Sequence, residues 1–151
     1  MPTDPDRSVI VSSDGAARGN PGPAGIGVVV QGAGGRRLAE VGQGIGIATN
    51  NVAEYRAAIE GLRRALALGA TDVLLRSDSK LLIEQLAGRF KVRNPRLMEL
   101  HAEVRELASG FRSIRYEHVP RERNREADRM ANLGVDEWLR SGAQTPSGSR
   151  P

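Results

Sequence analysis

The feature that most constrains the fold is a change of hydrophobic periodicity at residue 49. Before it, three runs of small and β-branched apolar residues, 8–14, 24–32 and 36–46, are bounded by glycine or proline, a pattern typical of short strands joined by tight turns. After it, residues 49–69 place apolar side chains three or four positions apart, as one face of a helix does. Three consecutive strands joined by short loops predict an antiparallel meander that is followed by a helix.

The rest of the chain alternates between the two patterns. Residues 71–78 and 111–119 are predicted as strands, and residues 79–88, 94–109 and 124–139 as helices. The predicted order is therefore β-β-β-α-β-α-α-β-α. That order indicates the α/β (α+β) class, with a mixed sheet covered by helices.

Composition limits the class of protein without identifying it. The chain has 151 residues, 39% of them hydrophobic, which is enough for one domain with a single core. It has no cysteine, which excludes a disulfide framework and a thiolate metal site and fits a reducing compartment. Lysine and arginine number 22 against 18 acidic residues, and the resulting net charge of +4 fits nucleic-acid binding but does not require it.

The sequence shows no targeting or membrane segment. The N-terminus lacks the apolar core of a signal peptide, and no stretch has the uninterrupted apolar length of a membrane helix. We therefore expect a cytoplasmic protein with no membrane partner. The predicted organisation is a flexible N-terminus over 1–7, a folded domain over 8–139 and a Ser/Gly/Pro-rich disordered tail or linker stub over 140–151.

Four carboxylates fall at positions where a sheet of this kind could bring them together. Asp14 ends the first predicted strand, Asp78 ends the fourth, Glu54 lies in the first turns of the long helix, and Asp128 lies early in the last helix. Taken singly, each is more often a surface residue, a helix cap or an ion-pair partner. Together and without matched bases they would repel one another and raise their pKa values unless a divalent cation neutralised them. Oxygen ligands, with no cysteine and only two histidines, favour Mg²⁺ or Mn²⁺ over Zn²⁺.

Small residues follow Glu54 along the same side of the predicted helix. Ala58, Gly61 and Ala65 lie below it, away from the large apolar stripe. Side chains of this size allow the backbone of a helix to pack closely against a sheet. The pattern therefore predicts that this side of the helix faces the strands and carries Glu54 toward them.

Four segments of the sequence resemble, in order and spacing, the signature segments of ribonuclease HI, the type 1 ribonuclease H. They are residues 14–27, 49–62, 74–86 and 118–132, and the similarity extends over residues 8–135. Each segment alone is a weak signal, whereas four in register are a strong one. The resemblance implies a ribonuclease H-like fold, a five-stranded mixed sheet with helices on both faces.

The resemblance also implies an activity. Asp14, Glu54, Asp78 and Asp128 match the acidic tetrad of the family, which holds two Mg²⁺ ions, with Mn²⁺ as a possible substitute. One ion would activate a water and the other would stabilise the leaving 3′ oxygen. The expected enzyme is a metal-dependent endonuclease that hydrolyses the RNA strand of an RNA/DNA hybrid and leaves 5′-phosphate and 3′-hydroxyl ends.

The two histidines have different expected roles. His118 lies ten residues before Asp128, in the place of the catalytic loop histidine of the family, which is thought to order the attacking water or to help product departure. The alternative is a strand-end histidine packed beside Pro120. His101 has no counterpart in the family pattern, and we expect it on a helix surface.

Residues on either side of the predicted site match the family's contacts with its substrate. A protein that recognises an RNA/DNA hybrid must approach the 2′-hydroxyls of the minor groove closely, which requires backbone and short polar groups. The residues implied as groove contacts are Gly15, Ala16, Gly19, Asn20, Asn50 and Asn51.

Thr49 and Asn20 also match a pocket that holds a phosphate of the DNA strand. The alternative for Thr49 is a helix N-cap.

The region that follows residue 86 departs from the best-known bacterial pattern. That pattern inserts a long basic protrusion, whereas residues 87–97 are short, so the chain resembles the handle-less branch of the family. Phe90, Lys91 and Arg93 could still contact the DNA backbone, although Phe90 could equally fill the core. Lys80 stands where many members carry an amide that contacts RNA. Four arginines, Arg121, Arg123, Arg125 and Arg129, could attract phosphates or form an ordinary solvated face.

Two other functions remain open at the level of sequence. A non-catalytic nucleic-acid-binding module of the same fold would be expected to lack a tetrad member, and all four are present. A metal-dependent nuclease or integrase that cuts DNA would have no need of a loop built to read 2′-hydroxyls. The expected partner is an RNA/DNA hybrid, bound by a monomer, and the tail could lead to a fused or linked C-terminal domain in the natural chain.

Overall fold

A five-stranded mixed sheet organises residues 7–142, the part of the chain that this computed structural model describes. Across the sheet the strands follow the order third, second, first, fourth, fifth. The first three pair antiparallel, and the first, fourth and fifth pair parallel. The predicted meander and mixed sheet are confirmed. The strands are β1 (Ser8–Ala17), β2 (Gly22–Gly32), β3 (Arg37–Ala48), β4 (Asp72–Ser77) and β5 (Ser113–His118).

Four helices complete the predicted order. The first three begin at polar caps, because the side chains of Thr49, Ser79 and Asn94 accept hydrogen bonds from backbone N–H groups of the first turn. A 3-10 turn over Arg121–Arg123 precedes the last helix. The helices are α1 (Asn50–Ala67), α2 (Lys80–Leu86), α3 (Pro95–Ala108) and α4 (Arg125–Arg140).

The helices cover both faces of the sheet, as the family resemblance implied. Gly61 of α1 lies so close to Val11 and Val28 that an added Cβ would come within 2.5 Å of the Val11 side chain. Gly27, the neighbour of Val28 in β2, instead faces α4. Because successive residues of a strand point to opposite faces, α1 and α4 lie on opposite sides of the sheet.

The main core lies between the sheet and α1, with α3 packed beyond it. Ala58 and Ala65 are fully buried with Gly61 along α1, which confirms that the small side of this helix faces the strands. Tyr55 is also buried, and its hydroxyl donates a hydrogen bond of 2.6 Å to Gln85 Oε1 of α2. The buried side chains include Val9, Val11, Val28, Val30, Tyr55, Ile59, Leu62, Leu75, Leu97, Leu100 and Val104.

Helix α4 rests directly on the backbone of the sheet. A Cβ added at Gly27 would lie 1.9 Å from the carbonyl oxygen of Ala127, and one added at Gly44 would lie 2.4 Å from Cβ of Trp138. Only glycine permits an approach of this kind. Gly27 is also the β2 partner of Asp14 in β1. The contact between Gly27 and Ala127 therefore brings the next residue of α4, Asp128, beside Asp14.

The described residues test the predicted domain boundaries at the two ends of the chain only in part. Residues 1–6 and 143–151, which hold most of the predicted flexible N-terminus and tail, lie outside the described residues. Arg7 is tied to the fold, because its carbonyl accepts a hydrogen bond of 2.8 Å from the N–H of Thr71. Helix α4 continues to Arg140, the first residue of the predicted tail. Among residues 7–142, no helix combines the length and the apolar character needed to cross a membrane.

Candidate active site

Three of the four predicted carboxylates meet at one end of the sheet. Asp14, Glu54 and Asp78 each offer a carboxylate oxygen, and these three oxygens lie within 4.8 Å of one another. Asp14 is buried, and the other two are partly buried. The three come from β1, α1 and the residue that follows β4, so the cluster exists only in the folded chain.

The edge of the parallel ladder explains why the two aspartates meet. The last parallel pair between β1 and β4 joins Ser12 to Arg76, and both aspartates lie just beyond it. Asp14 does not end its strand, however, and that prediction is wrong. β1 continues to Ala17 as an antiparallel ribbon with β2, because the small residues that suggest a loop also fit a strand packed closely under helices.

Asp128 stands across the same cavity but outside the cluster of three. Its Oδ1 lies 3.3 Å from the amide nitrogen of Asn132, one helical turn further along α4. Its Oδ2 lies 4.0 Å from Nη2 of Arg121. Asp128 is near enough to Asp14 for a hydrogen bond between the two carboxyl groups to help raise the Asp14 pKa. The four carboxylates thus surround one space, with α1 and α4 on either side.

The cavity is open and polar, with a volume of about 460 Å³. Its wall combines the carboxylates with backbone of β1 and with side chains from α1, α4 and the segment before α4. The lining residues are Asp14, Gly15, Ala16, Ala17, Arg18, Asn50, Glu54, Asp78, Arg121, Asp128 and Asn132.

The carboxylates strongly perturb one another. Burial, followed by repulsion from Glu54 and Asp78, raises the pKa of Asp14 from 3.8 to about 10. Burial also raises the pKa of Glu54 to about 8, although the N–H of Gly15 opposes this shift by donating a hydrogen bond of 3.0 Å to Glu54 Oε1. Among residues 7–142, no basic side chain forms an ion pair with any of the three clustered carboxylates, so this repulsion is not offset. Such a set of oxygen ligands suits a hard divalent cation.

The turn between β1 and β2 is fastened to the start of α1. Asn20 Oδ1 accepts a hydrogen bond of 3.0 Å from the N–H of Asn50, and Asn50 Oδ1 accepts one of 3.1 Å from the N–H of Ala17. Gly19 has a φ of 99°, which glycine adopts without strain. Gly15 and Ala16 belong to β1 and not to the predicted loop, because β1 extends past Asp14.

The predicted contacts at the start of α1 occupy an exposed helix terminus. Thr49 is the N-cap, with its hydroxyl oxygen 3.2 Å from the N–H of Val52, so the capping interpretation of this residue is confirmed. Asn51 follows in the first turn and is exposed. A contact between Thr49 and a phosphate stays a prediction.

His118 lies at the end of a strand, as the alternative to a catalytic role expects. It is the last residue of β5, paired with Ser77, and it is exposed and absent from the wall of the cavity. Its catalytic role stays a prediction. Arg121 of the short segment between β5 and α4 lines the cavity instead. The sequence contained this signal as the first of the four arginines, but the spacing to Asp128 favoured the histidine.

Two other lining residues, Arg18 and Asn132, were not predicted. Arg18 is the one charged residue in a run of small residues, and Asn132 lies four residues after Asp128 and hence on the same helical face. Both signals are visible in the sequence, yet neither names a partner. Arg129, in contrast, pairs with Glu126 at 3.1 Å on the exposed side of α4, as the solvated-face interpretation expects.

The predicted nucleic-acid contacts on α2 and on the connection that follows it lie apart from the cavity. Phe90 is 47% exposed, so the alternative in which it fills the core is wrong. Lys91 and Arg93 are exposed on the same connection, which runs from the end of α2 to the start of α3 with no inserted helix. Lys80 is the first residue of α2 and is also exposed.

His101 is not a simple surface residue, and the expectation for it is wrong. It is partly buried, and its Nε2 lies 3.1 Å from the carbonyl oxygen of Gln85. Its ring also meets that of Tyr55 edge-on, with the centroids 6.4 Å apart. His101 therefore connects α3 to α2 and to Tyr55 of α1. The apolar spacing of α3 did not indicate that this position also packs against its neighbours.

The fold and the cluster together define a class, the α+β domains with an acidic site at one end of a five-stranded mixed sheet. A family model described as reverse transcriptase-like matches residues 12–134. The ribonuclease HI of Halobacterium salinarum is 44% identical over 135 residues, which are 88% of this chain and 68% of that protein. The chain therefore belongs to the ribonuclease H family, and the resemblance in its sequence is confirmed.

Two further comparisons extend this assignment. The bifunctional protein Rv2228c of Mycobacterium tuberculosis is 53% identical over 136 residues, which are 89% of this chain but 37% of that relative. The chain thus spans little more than a third of that protein. The crystal structure of LC11-RNase H1 in complex with RNA/DNA hybrid has a TM-score of 0.83 and 40% identity, and the match covers 87% of this chain and 99% of the other.

Proposed function

We propose that this chain is an endoribonuclease that hydrolyses the RNA strand of RNA/DNA hybrids with the help of two divalent cations. The observation that carries the proposal is the meeting of Asp14, Glu54 and Asp78 within 4.8 Å, with Asp128 across the same cavity. Burial and mutual repulsion raise the pKa values of Asp14 and Glu54, and a bound divalent cation would relieve both effects.

The residues fit Mg²⁺, with Mn²⁺ as a substitute. Asp14, Glu54 and Asp78 would hold one ion between them, and Asp14 with Asp128 would hold a second. When bound, the ions would supply an activated water on one side of the scissile phosphate and charge stabilisation for the leaving 3′ oxygen on the other. Products with 5′-phosphate and 3′-hydroxyl ends follow if water attacks the phosphorus and the bond from phosphorus to the 3′ oxygen breaks, with that oxygen leaving and taking up a proton.

The remaining groups of the cavity orient these carboxylates. The N–H of Gly15 holds one oxygen of Glu54, and the amide of Asn132 holds Oδ1 of Asp128. Arg121 faces Oδ2 of Asp128 and is 78% exposed at its side chain, so it can reach a phosphate of a bound strand. These contacts keep the acidic groups turned toward the cavity before any substrate arrives.

The wall beside β1 suits the minor groove of a hybrid. Gly15, Ala16 and Gly19 leave the backbone accessible, while Asn20, Asn50 and Asn51 offer short polar groups at the start of α1. Contacts with 2′-hydroxyls require an approach of this kind. The ribonuclease HI relative and the hybrid bound to LC11-RNase H1 support the same substrate.

A second contact surface would follow the DNA strand. The N-terminus of α1 with Thr49 and Asn20 would bind one phosphate of that strand. The exposed Phe90, Lys91 and Arg93 would meet the backbone of that strand further along. Lys80, at the start of α2, would contact the RNA strand instead. No inserted helix supplements these residues, so we expect weaker binding than in relatives that carry the protrusion. Binding should fall steeply with added salt if several phosphates are neutralised.

Cleavage of matched duplexes tests the proposal. With Mg²⁺ present, we expect the RNA strand of an RNA/DNA duplex to be cut and RNA/RNA and DNA/DNA duplexes of the same sequence to stay intact. Labelled strands resolved on a gel report which strand breaks, and a reaction with EDTA is the control. Binding without cleavage would favour a non-catalytic module, and cutting of DNA/DNA would favour a DNA nuclease of the wider superfamily.

Alanine substitutions at Arg121 and His118 test which of these two side chains contributes to catalysis beside the acidic cluster. We expect Arg121→Ala to lower kcat on a hybrid by roughly 10- to 100-fold, since a charged donor facing a reacting phosphate is lost. His118→Ala should change kcat little, because the imidazole lies outside the cavity wall. Steady-state rates at saturating substrate separate the two. A larger loss for His118→Ala would restore the catalytic role that the family resemblance implies.

We also propose that the domain acts as a monomer in the cytoplasm and that residues 8–139 form its folded unit. The bifunctional relative is much longer than this chain, which supports a fused or linked second domain in the natural protein. The absence of cysteine is compatible with a reducing compartment.

A further inference from the structure

A chain of polar contacts connects the β1–β2 turn to Asp128. Arg18, which begins the turn, places Nη1 2.7 Å from Oδ1 of Asp136 on α4. Its Nη2 donates to both the carbonyl oxygen and Oδ1 of Asn132, each at 3.3 Å. Asn132 in turn donates from Nδ2 to the carbonyl oxygen of Asp128 at 3.0 Å and to its Oδ1 at 3.3 Å.

Arg18 reinforces the direction of these hydrogen bonds. A guanidinium group can only donate, so it holds the oxygen of the Asn132 amide on its own side. The NH₂ end of the same amide then faces Asp128, whose carboxylate can only accept when it is ionised. Without Arg18 only the two oxygens of Asp128 would hold the amide, and the orientation of both side chains would be less tightly fixed.

We propose that Arg18 is a positioning residue for the metal-binding carboxylate of Asp128, that it acts through the amide of Asn132, and that Asp136 holds it in place. This role deepens the proposed function and rests on it, because it concerns the binding of a divalent cation by Asp128. Arg18 itself touches no carboxylate of the clustered three. Its effect is on the orientation of the fourth ligand.

Arg18 is expected to affect the orientation of Asn132 and Asp128 more than the free energy of unfolding. The side chains of Arg18 and Asp136 are each 41% exposed, and an ion pair this accessible contributes little to the free energy of unfolding. The turn is also fixed independently on its other side, where Asn20 and Asn50 tie it to α1. Removal of the Arg18 side chain should therefore leave the fold intact and release mainly the Asn132 amide.

The rival role for Arg18 is direct contact with a phosphate of the nucleic acid, since its guanidinium also lines the cavity. The two roles differ in what Asp136 does. If Arg18 binds phosphate, Asp136→Ala frees it and should strengthen hybrid binding. If Arg18 positions Asn132, Asp136→Ala loosens the contact chain and should weaken cation binding, with no gain in hybrid binding.

The experiment measures cation binding on the whole chain. Mn²⁺ is titrated by calorimetry, and the Mg²⁺ concentration for half-maximal hybrid cleavage is measured in parallel. We expect Arg18→Ala and Asn132→Ala each to raise one or both constants by about tenfold, as loss of a residue that orients a metal ligand commonly does. The Arg18→Ala/Asn132→Ala double variant should be no worse than Asn132→Ala alone, because both substitutions break the same chain. Arg18→Lys should recover part of the loss.

Arg112→Ala is the matched control, because Arg112 forms a similar exposed ion pair with Asp72 at the opposite end of the sheet. Thermal unfolding with EDTA checks that each variant folds, and Asp136→Ala offers a second route if Arg18→Ala does not. Constants for Arg18→Ala equal to those of the control, or additive losses in the double variant, would overturn the positioning role alone. Failure of the unsubstituted chain to bind Mn²⁺ would instead overturn the proposed function as well.

Discussion

Asp14→Asn and Asp78→Asn are each expected to abolish cleavage of an RNA/DNA hybrid while leaving binding of the hybrid in place. Each substitution replaces a carboxyl group that can bind a cation as an anion with a neutral amide, in a cluster whose oxygens meet within 4.8 Å. It therefore weakens the hold on a cation that would stabilise the reacting phosphate. The loss should be about 10³-fold or more in kcat, which corresponds to about 4 kcal/mol of transition-state stabilisation. Hybrid binding should persist because other residues make the groove and backbone contacts.

Single-turnover cleavage and fluorescence anisotropy measure the two properties separately. Asp72→Asn is the matched control: Asp72 begins the strand that Asp78 follows, and it pairs with Arg112 and Ser113 far from the cavity. It should retain full activity. A cluster variant that cuts the hybrid at the rate of the unsubstituted chain would contradict the assignment of the acidic site.

The same Asp14→Asn substitution is expected to stabilise the metal-free protein, and to do so more strongly as pH rises. Asp14 has an ordinary pKa of 3.8, which the fold raises to about 10, and Glu54 rises from 4.5 to about 8. The folded state therefore keeps protons that the unfolded state releases. Stability from these groups is complete below about pH 4 and is lost as pH rises toward the folded pKa values. Asparagine does not titrate, so the variant does not lose the stability that Asp14 loses as pH rises.

Thermal unfolding in EDTA at pH 5, 7 and 9 measures the effect. We expect Asp14→Asn to gain on the order of 2 kcal/mol at pH 7, or about 4–8 °C in Tm for a chain of this size, with a smaller gain at pH 5. Mg²⁺ should raise the Tm of the unsubstituted chain more than that of the variant, because it binds the intact site. The pKa of Asp72 is lowered by Ser113 and Arg112, so Asp72→Asn should give no gain. A Tm difference for Asp14→Asn that does not change with pH would contradict the repulsion ascribed to the cluster.

The order of strands and helices could be predicted because each element carries a clear period. The alternation in β1 and the apolar spacing in α1 and α3 both follow from packing against one core. The extension of β1 beyond Asp14 could not be predicted in this way. Gly15 and Ala16 have little intrinsic preference for a strand, and what holds them there is pairing with β2 under α1.

The clustered carboxylates could be predicted for a related reason, since two of them follow the edge of a parallel ladder and the third lies at the start of a helix. The placement of Asp128 depends on the contact between Gly27 and Ala127, which joins residues a hundred positions apart. The side chains that orient it, Arg121 and Asn132, have partners only in three dimensions. Spacing alone did not separate His118 from Arg121, because which of the two lines the cavity depends on the path of the short connection between β5 and α4.

The four carboxylates are proposed to hold divalent cations at the site of phosphodiester cleavage. Anomalous diffraction tests this directly on crystals of the unsubstituted chain grown with Mn²⁺ and an RNA/DNA hybrid whose phosphate linkages resist hydrolysis. We expect Mn²⁺ peaks in the cavity between Asp14, Glu54, Asp78 and Asp128, with an RNA phosphate bound to them. A hybrid seated on the protein with no Mn²⁺ between these residues, or with a DNA phosphate in place of the RNA phosphate, would contradict it.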